Sequence, residues 1–319
     1  MALLEFDVIK QYFSKIQHSC NTSNILLSVG DDAAVVSVPE GKELVVCTDT
    51  LNEGVHFPRE TSAYDIAYKA LAVNLSDIAA MGAEPKWFTL NISLPKVDET
   101  WLKQFSEGLE ALAGEYDLAL VGGDTTRGPL SVTITLAGHI SKGQALTRNN
   151  AKVGDKVFLS GCTGEAAYGL ECITKKINVE ESKKFIDRLN KPTARIALGQ
   201  NLVGIANACI DVSDGLIADT THIAESSHVG INIYMNQIIL PNLINKDLAR
   251  HYALSGGDDY ELIFTMPADR LNNLEVIQSK LNIKITCIGE VVEQLGVRVF
   301  DENNNRIDLD ETGYQHFKE

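Results

Sequence analysis

AYDIAYKALAVNLSDIAAMGAEP, residues Ala63–Pro85, is the stretch from which the rest of the chain is read. Its apolar positions surround the axis almost completely and predict a long helix over Ala63–Met81, ended by Gly82 and followed by Pro85. A helix apolar nearly all round is a buried helix. Asp77 lies within it among Ala70, Leu71, Val73, Leu75, Ile78 and Ala79, and no Lys or Arg stands three or four residues away. A buried carboxylate needs a partner, and a bound metal is the simplest one.

Outward from this helix, aspartates recur beside glycines or at the ends of apolar runs. They stand in Gly30-Asp31-Asp32, Thr48-Asp49-Thr50, Gly122-Gly123-Asp124, Asp211-Val212-Ser213-Asp214-Gly215 and Gly256-Gly257-Asp258-Asp259-Tyr260-Glu261. Any one of these is explained by a turn or a helix cap. Asp214, before Gly215-Leu216, fits a cap as well as a ligand role. Turns do not explain the repeated doubling of carboxylates, which repel unless a cation compensates them. Each motif abuts an apolar run, so each acid is expected at the end of a sheet strand. Carboxylates without His or Cys companions suit Mg²⁺ or Mn²⁺, and Mg²⁺ usually bridges to substrate phosphates.

The balance of 28 basic and 43 acidic side chains, a net −15, argues against nucleic acid and anionic lipid as partners. Hydrophobic residues at 45% and charged ones at 22% are those of a soluble globular protein. Cys20, Cys47, Cys162, Cys172, Cys209 and Cys287 form no C-x-x-C pair, so reduced thiols in a cytoplasmic protein are expected. No apolar run reaches the length of a membrane span, and Met1–Tyr12 has no basic region before an apolar one.

At 319 residues, two domains are expected. Helical spacing marks Leu3–Ile16. Short buried strands are predicted at Leu44–Cys47 and at Leu118–Val121, the latter stopping at Gly122, with a half-buried strand at Ser131–Ile140. The polar stretch Gln144–Asp155 holds the boundary, giving domains 1–148 and 149–319. The second domain is predicted to carry strands at Lys156–Leu159, Ile231–Ile239, Leu262–Thr265 and Ile285–Ile288. Its helices fall at Ala166–Ile177, Pro192–Ala208 and from Gly215. Without regular β-α-β spacing the class is α+β. Ser160–Glu165, a glycine loop opening a helix, is a weak candidate for phosphate binding. No P-loop or protein-kinase motif set is present. His139 and His222 are expected to be structural, whereas His56 closely follows Asp49 and is a candidate for function.

The strings GDDAAV, TDTLNEGVHF, KALAVNLSDIAAMGAEP, GGDTTRGP, ALTR, DVSDGL, SGGDDYEL and GYQHF together resemble the thiamine-monophosphate kinase family. Its superfamily also holds phosphoribosylaminoimidazole synthetase, selenophosphate synthetase and a hydrogenase maturation protein. The resemblance implies a two-domain ATP-binding fold, with an N-terminal α/β domain that forms a homodimer and a C-terminal α/β domain. It implies ATP-dependent phosphorylation of thiamine monophosphate to thiamine diphosphate with several Mg²⁺ ions. The implied metal ligands are Asp32, Cys47, Thr48, Asp49, Asp77, Asp124, Asp211 and Asp214. The implied ATP contacts are Gly123, Asp124, Arg148 and Ser213, and the implied substrate contacts are His56, Asp258 and Tyr314. Cys47 stands where a serine is expected, and Asp258 where relatives often carry Glu.

Direct in-line transfer to an ionised phosphate needs no general base, which agrees with a site lacking a Ser/His or Cys/His constellation. The alternatives are an amidine-forming synthetase of the same superfamily, or a regulatory module that binds Mg·ATP without turnover. The opening MALLEFDVIK and the ending GYQHFKE disfavour the two superfamily members with a reactive terminal Cys.

Overall fold

The computed structural model describes residues 5–17, 24–177, 182–243, 245–307, 313–314 and 316. The expected helix start at Leu3, Cys20, and Gln315 and Phe317 of GYQHF lie outside these residues. The chain divides into two compact units, Met1–Ile78 with Ala83–Gly143, and Ala79–Gly82 with Gln144–Glu319.

The first unit opens with α1 (Glu5–Val8), which runs on through a π turn at Ile9–Phe13 and a 3-10 turn at Ser14–Gln17. A small antiparallel sheet pairs β1 (Ile25–Leu27) with β2 (Val35–Val36). Then come β3 (Lys42–Asn52), α2 (Ala63–Ala80), β4 (Glu84–Leu94), α3 (Glu99–Glu115), β5 (Ala119–Arg127) and β6 (Ser131–Ser141). Their four strands lie in the order β3-β6-β4-β5, and only β4 and β5 are parallel, joined by the crossover helix α3. Asp98 caps α3 by accepting from the amides of Thr100 and Trp101, each at 3.1 Å. Helix α2 is as buried as its composition requires: Ala67, Leu71, Leu75 and Ile78 have no measurable exposure. It ends one residue before the predicted Met81, and Gly82 follows at φ +70°.

Two predicted strands are longer than expected. Strand β3 runs past Cys47 to Asn52, and it is an edge strand with Leu44 and Val46 at 42% and 52% exposure. Only alternate residues of a strand face the helix layer, so a short apolar run does not imply burial on both sides. Strand β5 does not stop at Gly122 but pairs with β4 through Arg127. The register shifts between Phe88 and Thr89, which sets Gly123 against Leu90. A Cβ at Gly123, φ +146°, would lie 1.8 Å from the Leu90 carbonyl oxygen. The Gly-Gly pair thus carries a strand through a tight backbone approach. Asp49 and Asp124 consequently sit in mid-strand, whereas Asp211 occupies the strand end that was expected.

The second unit contains β7 (Lys156–Ser160), α4 (Glu165–Thr174), α5 (Ser182–Asn190), α6 (Ile196–Leu202), β8 (Ala208–Asp211) and α7 (Leu216–Ser227). It continues with β9 (Gly230–Tyr234), α8 (Lys246–Ser255), β10 (Leu262–Met266), α9 (Leu271–Leu281), β11 (Ile285–Val292), β12 (Gly296–Phe300) and β13 (Arg306–Ile307). The sheet order is β13-β12-β9-β11-β7-β10-β8, antiparallel except for β12 with β9. Mixed helices and antiparallel strands make this the α+β arrangement predicted. The strand expected at Ile231–Ile239 ends at Tyr234 in a 3-10 turn, and the helix expected at Pro192–Ala208 is confined to Ile196–Leu202. Val157, Ile210, Ile231, Ile263 and Ile288 of the sheet pack with Leu216 and Ile223 of α7. This buried face of α7 fixes where the preceding 212–215 loop must lie. Among the described residues, no helix is long and apolar enough to cross a membrane.

Candidate active site

In the first unit, alternation along β3 puts Cys47 and Asp49 on one face, towards α2. The Cys47 Sγ lies 3.4 Å from the Asn74 carbonyl oxygen of α2, and the Asp77 carboxylate accepts from it as well. Burial, then the charges of Asp77 and Asp49, push the Cys47 thiol far above its ordinary range. Burial likewise raises Asp49. Cys47, Asp49 and Asp77 therefore form one half-buried group with two carboxylates and a neutral thiol. Thr48 does not join it: its hydroxyl donates to the Ile134 carbonyl at 3.1 Å and pairs with Thr135 Oγ1 at 3.0 Å on the other face.

Asp32, Gly123 and Asp124 line a cavity of about 680 Å³, together with Gly30, Asp31 and Thr125. The Asp31, Asp32 and Asp124 side chains are exposed. His56 is held by its own turn: Asn52 N–H donates to His56 Nδ1 at 3.0 Å. A ring whose Nδ1 accepts carries its proton on Nε2 when neutral. Lys69, 2% exposed, donates to the His56 carbonyl at 3.0 Å and locks the same turn. His56 is thereby fixed as a hydrogen-bond donor.

In the second unit the 211–215 segment is gripped from several sides. The amides of Ser213, Asp214 and Gly215 all donate to Asp219 Oδ2, at 3.0, 3.1 and 3.1 Å. Asp258 N–H donates to the Ser213 carbonyl at 2.9 Å, and Tyr260 N–H to that of Val212 at 2.8 Å. Tyr314 N–H donates to the Asp214 carbonyl at 3.0 Å. Gly313, φ +152°, permits that approach, since a Cβ there would lie 2.6 Å from Ala218 Cβ. Asp211, Ser213, Asp214, Asp258 and Tyr314 are thus gathered around one loop. Burial raises Asp214, opposed by His222, His316 and Arg148 and reinforced by Asp258. The Arg148 backbone is fixed by Ser227 Oγ at the far end of α7, 2.8 Å from its carbonyl.

Sequence reasoning missed Asp219, and it placed His222 among structural histidines. His222 is exposed and forms, with Asp214 and Asp219, the one cluster among the described residues able to offer three ligand atoms within 4.8 Å. Asp219, 2% exposed, is pushed up to about 8 by burial and by the charges of Asp211 and Asp214. Its signal was in the sequence: it shares a helix face with Leu216, Ile223 and Thr220.

The glycine loop Ser160–Glu165 does not offer the amides expected for a phosphate. Gly164 N–H and Ala166 N–H already donate to the Asp259 carboxylate, at 2.6 and 3.3 Å. Glu261 is consumed by Arg188, Arg195 and Ser160 Oγ. Within Gly257–Glu261 the outermost acid is therefore Asp258, in a left-handed conformation with Tyr260 OH donating to its Oδ1 at 2.9 Å.

Residues 30–140 match the AIR synthase related protein N-terminal domain, and residues 152–302 the AIR synthase related protein C-terminal domain. The thiamine-monophosphate kinase of Haemophilus influenzae is 42% identical over 328 residues, covering 100% of this chain and 99% of its own. The crystal structure of thiamine-monophosphate kinase from Stenotrophomonas maltophilia matches with a TM-score of 0.86 at 43% identity, over 94% of this chain and 97% of that one. AaThiL complexed with AMPPCP and TMP matches with a TM-score of 0.78 at 34% identity, over 91% and 92%.

The state of the thiols gives a direct check on the site. Burial, then neighbouring acids led by Glu165, push Cys162 up to about 12, and Cys47 lies higher still. Iodoacetamide at pH 8 should therefore alkylate both at least ~10²-fold more slowly than free cysteine, because only thiolate reacts. Peptide mass spectrometry over time reads this, and fast labelling of Cys47 would mean a thiolate where a neutral thiol is described.

Proposed function

This chain belongs to the thiamine-monophosphate kinase family, and we propose that it transfers the γ-phosphate of ATP directly to thiamine monophosphate, giving thiamine diphosphate and ADP. The observation that carries the reading is the donor set. Asp49 and Asp77 are carboxylates beside a thiol held neutral, and Asp211 and Asp214 are carboxylates that both act on Asp219. Such oxygen-rich groups fit Mg²⁺ and not a thiolate-bound metal.

Two polyanions must meet in this reaction, and their repulsion is the main barrier for the protein to relieve. Bound Mg²⁺ would supply neutralising charge to the phosphates; Asp32, Asp49, Asp77 and Asp124, with Cys47 and Thr48, would hold it in the first unit, and Asp211 and Asp214 in the second. The resemblance assigns ATP contacts to Gly123 and Asp124 in the first unit and to Arg148 and Ser213 in the second. The attacking oxygen belongs to a phosphate monoester whose second pKa is about 6, so it is already ionised and needs no base. It forms the new bond to the γ-phosphorus as the bond to the β-phosphate oxygen breaks in line. His56, protonated on Nε2, orients the substrate as a donor, consistent with a role other than base. Tyr314, 48% exposed, offers an aromatic face to a cationic thiazolium, and Asp258 completes the substrate contacts.

The reading places the enzyme in the cytoplasm as a homodimer formed by its N-terminal unit. The exposed Leu44 and Val46 on edge strand β3 support this, since an uncovered apolar edge favours a partner. The C-terminal unit carries the 211–215 loop.

Asp49→Asn and Asp124→Asn should each lower turnover by at least ~10²-fold at saturating Mg²⁺ without loss of fold, as expected when one preorganised electrostatic contact is removed. Near-normal activity in either purified variant refutes the ligand assignment.

Substrate choice tests the mechanism itself. Free thiamine presents a neutral hydroxyl that would need a base, and it lacks the phosphate that anchors it. A coupled ADP-release assay should show turnover with thiamine monophosphate and at most weak competition by thiamine. Turnover of thiamine within about tenfold of the monophosphate contradicts a phosphate nucleophile.

A further inference from the structure

We propose that Asp219 is a positioning residue of this site, setting the direction of the Asp214 carboxylate by gathering three consecutive backbone amides onto one oxygen. The inference rests on the reading of Asp211 and Asp214 as Mg²⁺ ligands. The geometry of Asp219 sets it apart from the surrounding acids.

Three successive N–H groups converge on Asp219 Oδ2 at 3.0–3.1 Å, from Ser213, Asp214 and Gly215. Successive amides of an extended chain point to alternate sides, so this convergence forces the segment into a tight curl. Gly215 at φ +130° accommodates the curl, and a Cβ there would lie 2.9 Å from the Ser255 carbonyl oxygen. The curl turns the carbonyls of Val212, Ser213 and Asp214 outward, where they accept from Tyr260, Asp258 and Tyr314 respectively. One side chain on the first turn of α7 thereby fixes both the Asp214 carboxylate and the seats of two substrate-contact residues. Asp219 is 2% exposed and rides on a helix locked into the core through Leu216 and Ile223, so its own position is stiff. The same helix holds the Arg148 backbone through Ser227 at its other end. Helix α7 is in this sense a ruler between the Arg148 and Asp214 contacts.

Groups that orient metal ligands without touching the ion typically change affinity or activity by ~10–100-fold when removed. Asp219→Ala and Asp219→Asn separate the possible roles. The Ala variant loses the acceptor, whereas the Asn variant loses the charge but keeps a carbonyl oxygen for the amides.

The first readout is the Mg²⁺ concentration for half-maximal binding of AMPPCP, followed by calorimetry on the full chain. The second is the split between kcat and the KM for ATP. Positioning predicts a rise in the Mg²⁺ midpoint of ~10–100-fold for Ala and recovery of most of that loss by Asn. Equal shifts in the two variants mean that Asp219 acts by charge or as a ligand itself, and overturn the proposal. An unchanged midpoint in folded Asp219→Ala overturns it as well.

If the Ala variant fails to fold, amide hydrogen exchange on the wild-type chain decides. Ser213, Asp214 and Gly215 should be protected as strongly as the middle of α7, and exchange as fast as an open loop refutes the grip. Absence of any Mg²⁺-dependent AMPPCP binding by the wild type would instead sink the reading of the site, and the positioning role with it. That failure is recognisable because the protection at 213–215 would persist.

Discussion

Burial of acidic side chains close to one another is the constraint on which this structure turns. Asp49 and Asp77 both act on the Cys47 thiol, and Asp211 and Asp214 both act on Asp219. Free in water, such groups would separate and stay ionised; held together out of water, they are pushed towards protonation. The fold prevents separation by building each set on elements that cannot move independently. Asp49 is in a paired strand, Asp77 is on a buried helix, and Asp214 is in a loop gripped by three elements. What results is a set of acids whose mutual charge either a proton or a divalent cation would relieve.

The same constraint explains the economy of the chemistry. A kinase acting on a hydroxyl must supply a base, whereas one acting on a phosphate must mainly hold charge and direction. His56 illustrates the difference, since its Nδ1 is occupied by the Asn52 amide and the ring is left as a donor. The local structure around it is stiff for a loop, with buried Lys69 tied to the His56 carbonyl.

Much of this was legible in the sequence wherever one side chain dictates one environment. An Asp in an otherwise apolar helix gave Asp77, and Asp211 at the end of an apolar run gave the strand end of β8. Legibility failed where backbone pairing overrode local composition. Gly122-Gly123-Asp124 has turn composition, yet the β4 register shift draws it into β5, and the lack of a side chain at Gly123 is what permits it. It failed also where a long-range side chain satisfies a local motif. The glycine loop before α4 resembles a phosphate cradle, but Asp259, 95 residues further on, fills it. Asp219 was missed because an Asp in a helix after a known motif looks solvated unless its neighbours on the same face are counted.

The central claim is that the two carboxylate sets bind divalent cations through oxygen. It is tested most directly by anomalous scattering from crystals of the full chain grown with Mn²⁺ and AMPPCP. The account predicts anomalous peaks within bonding distance of the carboxylate oxygens of Asp49 and Asp77, and of Asp211 and Asp214, with Asp219 outside bonding distance. Fully occupied nucleotide with no peak at either carboxylate set, or metal bound instead through Cys47 Sγ, would contradict it.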